Sequence, residues 1–173
     1  SRGFDYLSIL TEMDKLGYDA EWLLCNSKDY GVPQNRERVI FVGFRKGLNV
    51  NFRFPQPLPH KPTVFEAIHD LQGTVVPMGG TPVINAHEYW EGGYSYIYMS
   101  RNRVLDWNKP SFTIQASGRQ TSIHPSAPKM IKVKKDVFKF NPDGLDLYRR
   151  LSARECARIQ SFPDDFVFKY QTL

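Results

Sequence analysis

The stretch Asp29-Tyr-Gly-Val-Pro-Gln-Asn-Arg-Glu-Arg-Val-Ile-Phe-Val-Gly-Phe-Arg45 restricts the fold more than any other part of the chain. Its second half, Val39 to Phe44, is β-branched, aromatic and apolar on both faces, which predicts a strand buried in the middle of a sheet. Its first half is a turn, punctuated by Gly31 and Pro33, and Pro33 biases Val32 towards extended geometry. A spacing of two puts Gln34, Arg36 and Arg38 on one face of the extended chain that follows. Polar donors therefore stand in a row at the mouth of a strand, where open α/β sheets place ligands. From spacing alone, pairing with Asp29 and Glu37 is the favoured role for the two arginines, and the rest of the chain shifts that balance.

The flanking sequence continues the α/β pattern. Leu7, Leu10 and Met13 recur at a spacing of three with Ile9 and Leu16 beside them, which predicts a helix over 4–16 stopped by Gly17. Tyr18 to Leu24 reads as a strand. Helix, strand, turn, strand is a slice of an α/β sheet with too few strands to bury itself. Four prolines between 55 and 62 make 46–62 a connector. Thr63 with Glu66 forms a capping box for a short helix over 63–71, and Gly73 to Thr81 reads as loop.

The net charge of +5 is concentrated. Residues 101–135 hold eight basic side chains against one acid, Asp106, while the rest of the chain is balanced or slightly acidic. Such a local field favours a polyanion, and nucleic acid is the commonest. The wider stretch 82–135 carries Tyr89, Trp90, Tyr94, Tyr96, Tyr98, Trp107 and Phe112. Runs such as Tyr94-Ser-Tyr-Ile-Tyr-Met and Ser111-Phe-Thr-Ile-Gln predict small strands between loops. Arginine forks read guanine or hold phosphate, and apolar side chains fill gaps left by displaced bases. The candidates are Arg101, Arg103, Arg119, Gln115 and Gln120, with Ser117 and Gly118 small enough for a close backbone approach. A solvated lysine face is the plain reading of Lys132, Lys134 and Lys135.

A second anchor spans Tyr148 to Phe166. Ser152 and Glu155 form a capping box, and Leu151, Cys156 and Ile159 mark a buried stripe. Phe162-Pro163 ends the helix, and Arg150, Arg154 and Arg158 repeat every fourth residue as a brace. Cys156 lies on the apolar stripe and reads as core. Cys25 and Cys156 give no disulfide framework and no zinc spacing, so no metal is expected and a reducing cytoplasm is. No run has the apolar length of a membrane span, no signal peptide opens the chain, and the absence of an initial Met suggests a fragment or a processed chain.

Together the anchors resemble the cytosine-5 DNA methyltransferases. Gln34-x-Arg36-x-Arg38 behind Tyr30-Gly-Val-Pro looks like that family's eighth motif. Arg150-Leu-Ser-x-Arg154-Glu-x-Ala-Arg158-x-Gln160-x-Phe162-Pro163-Asp164 looks like its ninth. Thr113-Ile114 between them matches the Thr-hydrophobic pair of the target-recognition domain. Met99 to Val104 with Gln115 to Gln120 looks like the recognition domain of the HaeIII type. The resemblance implies a partial S-adenosylmethionine-methyltransferase Rossmann-like sheet over 1–62, a small irregular β-rich target-recognition domain over 63–147, and a bracing ninth-motif helix over 148–173. It implies a bacterial restriction-modification enzyme that methylates C5 of the inner cytosine of GGCC, with double-stranded DNA as partner and S-adenosylmethionine as cofactor.

In that family a cysteine thiolate adds to C6 of a flipped cytosine while a glutamate holds N3. Arg38 is similar to the arginine that contacts the flipped base, and Arg36 to one that holds a nearby phosphate. Gln34, Arg150, Arg154, Glu155 and Arg158 match structural positions. Departures are as informative. The Phe-x-Gly-x-Gly cofactor loop, the Pro-Cys nucleophile, the Glu-Asn-Val motif and the closing Gly-Asn-Ala-Val motif are missing. The expectation is a piece that is inactive without a catalytic half supplied from elsewhere. The alternatives are a natural subunit of a split methyltransferase and a DNA-binding module with no catalytic role.

Overall fold

The computed structural model describes residues 4–77 and 87–168. Helix α1, Phe4–Lys15, ends as the sequence requires, because Gly17 takes φ +86°, a left-handed conformation that costs glycine little. The chain turns there into strand β1, Tyr18–Asn26. Asn26 caps a 3-10 turn, Ser27–Tyr30, and Gly31 closes it at φ +84°. Strand β2, Glu37–Arg45, then returns antiparallel to β1, in register from Tyr18 opposite Arg45 to Asn26 opposite Glu37.

The two strands form a sheet of their own. Here the structure departs from the expectation of a central strand buried on both faces. Val39 is 46% and Ile40 42% exposed, as are Trp22 at 38% and Leu24 at 55% on β1. The tight Asn26–Gly31 reversal makes β2 pair with its immediate predecessor, and among the described residues no further strand joins it. Helix α1 covers part of the sheet: the Tyr6 ring packs at a tilt against Trp22, centroids 4.6 Å apart, and the Met13 side chain fills the space beside Gly43.

Residues 46–62 are irregular, as four prolines dictate. Helix α2, Val64–Ile68, carries the full Thr63/Glu66 capping box and runs on into a 3-10 turn, His69–Leu71. Two short parallel strands follow, β3 at Val76–Pro77 and β4 at Glu88–Tyr89. The expected loop over 73–81 lies partly outside the described residues.

The segments 94–99 and 111–115 are not the strands expected. Tyr98–Ser100 is a 3-10 turn, and Ser111 makes only an isolated bridge to Gln34. Tyr98 accounts for the first difference. Its ring is 1% exposed and its hydroxyl donates to the Thr121 carbonyl at 2.8 Å, which a solvent-facing strand would not allow. Further on, Ile131–Lys134 (β5) and Val137–Lys139 (β6) form an antiparallel hairpin with a bulge between Lys132 and Lys134. Helix α3, Ala153–Ile159, begins at Ser152 with both halves of its capping box made.

Two apolar clusters hold these pieces. Val64, Ile68, Leu105, Leu151 and Ile159 join α2 and α3, with Trp107, Ile114 and Cys156 against them. Tyr98, Val104, Ile123, Ala127 and Met130 form the second, which takes in Phe138 and Phe140 from the hairpin. Helix α2 thus shares its core with α3, and backbone bonds tie Val64 and Phe65 to Lys109 and Trp107.

Candidate nucleic-acid interface and its support

The strand mouth and the basic segment meet directly. Asn35 donates its backbone N–H to the Ser111 carbonyl at 2.8 Å, and Ser111 donates to the Pro33 carbonyl at 2.9 Å. The Thr113 hydroxyl donates to the Asn35 carbonyl at 2.9 Å. Gln34 lies under this seam, 1% exposed, and its carbonyl accepts from the Ser27 hydroxyl. Its side-chain amide nitrogen has no partner among the described residues. Asn26 holds the other flank, accepting from the Arg36 N–H at 3.1 Å and donating to the Asn35 side chain at 2.6 Å.

Above the seam, Arg36 is half-buried and Arg38 exposed. Neither makes an ion pair among the described residues; Arg38 only donates to the Glu37 carbonyl beside it, at 2.6 Å. Pairing with Asp29 and Glu37, favoured on spacing alone, does not occur: Asp29 is held by Lys61 at 2.7 Å. Two cationic forks stand open at the mouth of β2.

The arginines of the basic segment separate into two kinds. Arg101 is exposed at the end of the 98–100 turn, and Arg119 and Gln120 are exposed on a 3-10 turn, Gly118–Gln120. Gln115 and Ser117 are exposed beside them, and Ser117, Arg119 and Gln120 line a cleft with Trp90, Tyr94 and Ser95. Arg103 is different. It is 5% exposed, its Nε donates to the Tyr98 carbonyl at 2.8 Å, and Nη2 donates to the Ile97 carbonyl at 3.0 Å. Its charge lies 4.8 Å over the Tyr98 ring. The open guanine-reading fork expected at Arg103 is spent on holding the 97–98 turn that presents Arg101.

Burial likewise reassigns some aromatics. Tyr98 and Tyr94, expected on a nucleic-acid surface, pack around Arg150 instead, while Tyr96 remains 79% exposed and Ile97 66%. Arg150 is 1% exposed, with its charge 4.3 Å over Trp90 and 4.1 Å over Tyr94. Its two terminal nitrogens donate to the carbonyls of Gly92 at 2.7 Å and Gly93 at 2.9 Å. One buried guanidinium therefore fixes the 90–94 loop that walls the Arg119 cleft. Gly92 is required there, since a Cβ would meet the Trp90 ring at 1.8 Å.

The remaining arginines after residue 148 tie α3 to its surroundings. Arg158 donates from one terminal nitrogen to both Asp70 carboxylate oxygens at 2.6 and 2.7 Å, and grips Asp164 in a fork through Nε at 2.9 Å and Nη2 at 2.6 Å. Arg154 reaches Asp164 at 3.4 Å. The Arg158 guanidinium holds both carboxyls below the usual carboxylate range.

Sequence reasoning named Glu155 as structural but missed the partners that make it the centre of this support. Glu155, fully buried, accepts both terminal nitrogens of Arg149 at 2.8 Å and the Ser152 N–H at 2.8 Å. Burial alone would raise its pKa, but the Arg149 fork outweighs that and keeps it below the usual range. His124 lies beside it, with Nε2 3.5 Å from Glu155 Oε1. The Ser126 N–H donates to His124 Nδ1, so the proton of the neutral ring sits on Nε2, which makes no hydrogen bond among the described residues. Burial pushes the His124 pKa down to about 4. His87 closes the cluster through the Ser152 hydroxyl. The capping box hinted at a buried Glu155, but nothing local marks Arg149 or the histidines as its partners.

Cys156 is not placed as a nucleophile. Burial on α3 pushes the Cys156 thiol up to about 12, and Cys25 lies within β1 opposite Arg38. Among the described residues no cluster of His, Cys, Asp or Glu suits a metal ion, and no helix is long and apolar enough to cross a membrane.

Comparison with known proteins gives this arrangement a family. The family model for C-5 cytosine-specific DNA methylase matches residues 3–173. The Type II methyltransferase M.FnuDI of Fusobacterium nucleatum is 50% identical over 175 residues, covering 95% of this chain and 51% of the relative. M.MthTI of Methanothermobacter thermautotrophicus is 47% identical, covering 98% and 53% respectively. M.NgoPII of Neisseria gonorrhoeae is 45% identical, covering 96% and 51%. The chain spans about half the length of these curated relatives.

Proposed function

The chain belongs to the C-5 cytosine-specific DNA methylase family, and from that premise we propose that it forms the target-recognition and base-holding side of a restriction-modification DNA (cytosine-5) methyltransferase. The observation that carries this reading is the seam at 33–35 and 111–113, which sets the open forks of Arg36 and Arg38 in fixed relation to the basic segment. Arg38 contacts the flipped cytosine and Arg36 an adjacent phosphate. Arg101 and Arg119 read guanine, with Gln115, Gln120 and Ser117 completing the surface. Tyr96 and Ile97, exposed just before Arg101, fill space vacated by the displaced base. Arg103, Arg150, Arg154, Glu155, Arg158 and Gln34 position these groups rather than touch DNA. The preferred target is GGCC, whose two guanines per strand suit a pair of forks.

The thiolate that attacks the ring comes from outside this stretch, in keeping with the raised pKa of Cys156 and the lack of a Pro-Cys pair in the sequence. S-adenosylmethionine supplies the methyl group. The chain has no Phe-x-Gly-x-Gly loop to cradle it, so most of its site belongs to sequence beyond these residues. On its own the chain binds DNA without methylating it. Double-stranded DNA and the catalytic half of the enzyme are its partners, within a bacterial cytoplasm.

Titrating the chain with GGCC and scrambled duplexes in a gel shift at low salt tests the reading. Preference for GGCC is expected, with Arg101→Ala lowering the discrimination by about 1–3 kcal/mol. Equal affinity for both duplexes overturns the target assignment.

A further inference from the structure

The β5–β6 hairpin carries a charge that the guanine-reading surface does not account for. Lys129, Lys132, Lys134, Lys135 and Lys139 fall within eleven residues, and the only acid among them is Asp136 at the turn. All five lysines are exposed. Elsewhere, Lys15, Lys46, Lys61 and Lys109 each lie against a carboxylate. The hairpin lysines have no such partner among the described residues. Unneutralised like charges crowded on a two-stranded hairpin repel one another, an arrangement that an anionic partner relieves.

The hairpin is also firmly placed. Phe138 and Phe140 pack into the cluster of Tyr98, Val104 and Met130, and β6 lies against the 98–100 turn that leads into Arg101. Asn102 accepts from the Met130 N–H at 3.0 Å, joining the start of the hairpin to the residue after Arg101. Lys132 and Lys134, two positions apart, are separated by roughly 7 Å along the strand, wide enough to hold separate phosphates. Val133 between them is 56% exposed, so the strand shows water a side chain that no neighbour covers.

We propose that the Lys132–Lys135 edge of this hairpin is a second DNA-contact surface, gripping the sugar-phosphate backbone of duplex flanking the target without reading its sequence. The inference rests on the DNA-binding function proposed above and adds to it a partner surface distinct from Arg101 and Arg119. A solvated lysine face, the plain reading of the sequence, would leave binding untouched by removal of these charges.

The test compares the full chain with a Lys132→Ala/Lys134→Ala/Lys135→Ala variant, both titrated with GGCC and scrambled duplexes over a range of salt. Each phosphate contact contributes about 0.9 to the slope of log affinity against log salt. The slope of the variant is therefore expected to fall by about 2–3 on both duplexes, with the ratio between them unchanged. Circular dichroism and the melting temperature check that the exposed substitutions leave the fold intact. An unchanged slope overturns the hairpin surface, and so does a loss confined to GGCC. Failure of the unsubstituted chain to bind either duplex instead overturns the DNA-binding function itself. A duplex trimmed to the target alone gives a third arm: the difference between variant and parent is expected to shrink on it, and a difference of full size refutes a flanking contact.

Discussion

Replacing Glu155 by Gln probes the structural support at its most buried point. The carboxylate accepts three charge-assisted hydrogen bonds at 2.8 Å, two from Arg149 and one from the Ser152 N–H. A glutamine of the same shape brings an NH2 group to one of those two sets of donors in either amide orientation. One donor set then faces another, and Arg149 keeps its charge with no counter-ion. Individual bonds to charged groups are worth about 1.5–3 kcal/mol, but they share one acceptor and do not add. Removing one partner of a buried pair costs about 3–5 kcal/mol in total, and that is the loss expected here. Urea unfolding followed by tryptophan fluorescence is a suitable assay. Trp107 lies edge-on to His124 at 5.2 Å and Trp90 beside Arg150, so both report on this region. Pairing the change with Arg149→Met removes the stranded charge and should recover part of the loss. A cost below about 1 kcal/mol for Glu155→Gln, or no recovery in the double variant, would show that the pair is hydrated or dispensable and refute the reasoning.

His124 gives the pH dependence. Its folded pKa of about 4 lies below the ordinary histidine value of 6.5, so the folded state resists taking up the proton that the unfolded chain accepts. Stability from this group is complete above about pH 6.5 and is lost as pH falls towards 4, by on the order of 3 kcal/mol. His87, also shifted down by burial, acts in the same direction. Urea midpoints measured between pH 4 and 7.5 check this, and a shallower profile in His124→Asn, with the His87 share remaining, identifies the group. For Gly92→Ala, the Cβ collides with the Trp90 ring and displaces the carbonyl that Arg150 holds. We expect a loss of about 1–3 kcal/mol by thermal melting, together with weaker binding to every duplex. A variant as stable as the parent would mean that the loop repacks freely.

What the sequence revealed was local. Both capping boxes, the glycine stop at Gly17 and the proline-dictated connector depend on neighbours a few residues apart, and all four stand as expected. Burial was not legible. Val39 to Phe44 has the composition of a fully covered strand, yet its cover depends on which strands lie alongside, and composition cannot express that. Tyr94 and Tyr98 read as surface aromatics because the arginine they enclose is more than fifty positions away. Arg101 and Arg103 look alike in sequence and differ only because the carbonyls of Ile97 and Tyr98 turn towards one of them. The Glu155 cluster was hidden for the same reason: a capping glutamate is common, and its partnership with Arg149 and His124 is a property of the folded chain.

The stitching of residues 33–35 to 111–113 has a mechanical consequence. Three short bonds, two of them between backbone atoms, couple the entrance of β2 to the basic segment too closely for either to swing alone. Arg36 and Arg38 therefore hold a fixed placement against Ser111 and Thr113, and any movement between the strand mouth and this segment has to be sought away from the seam.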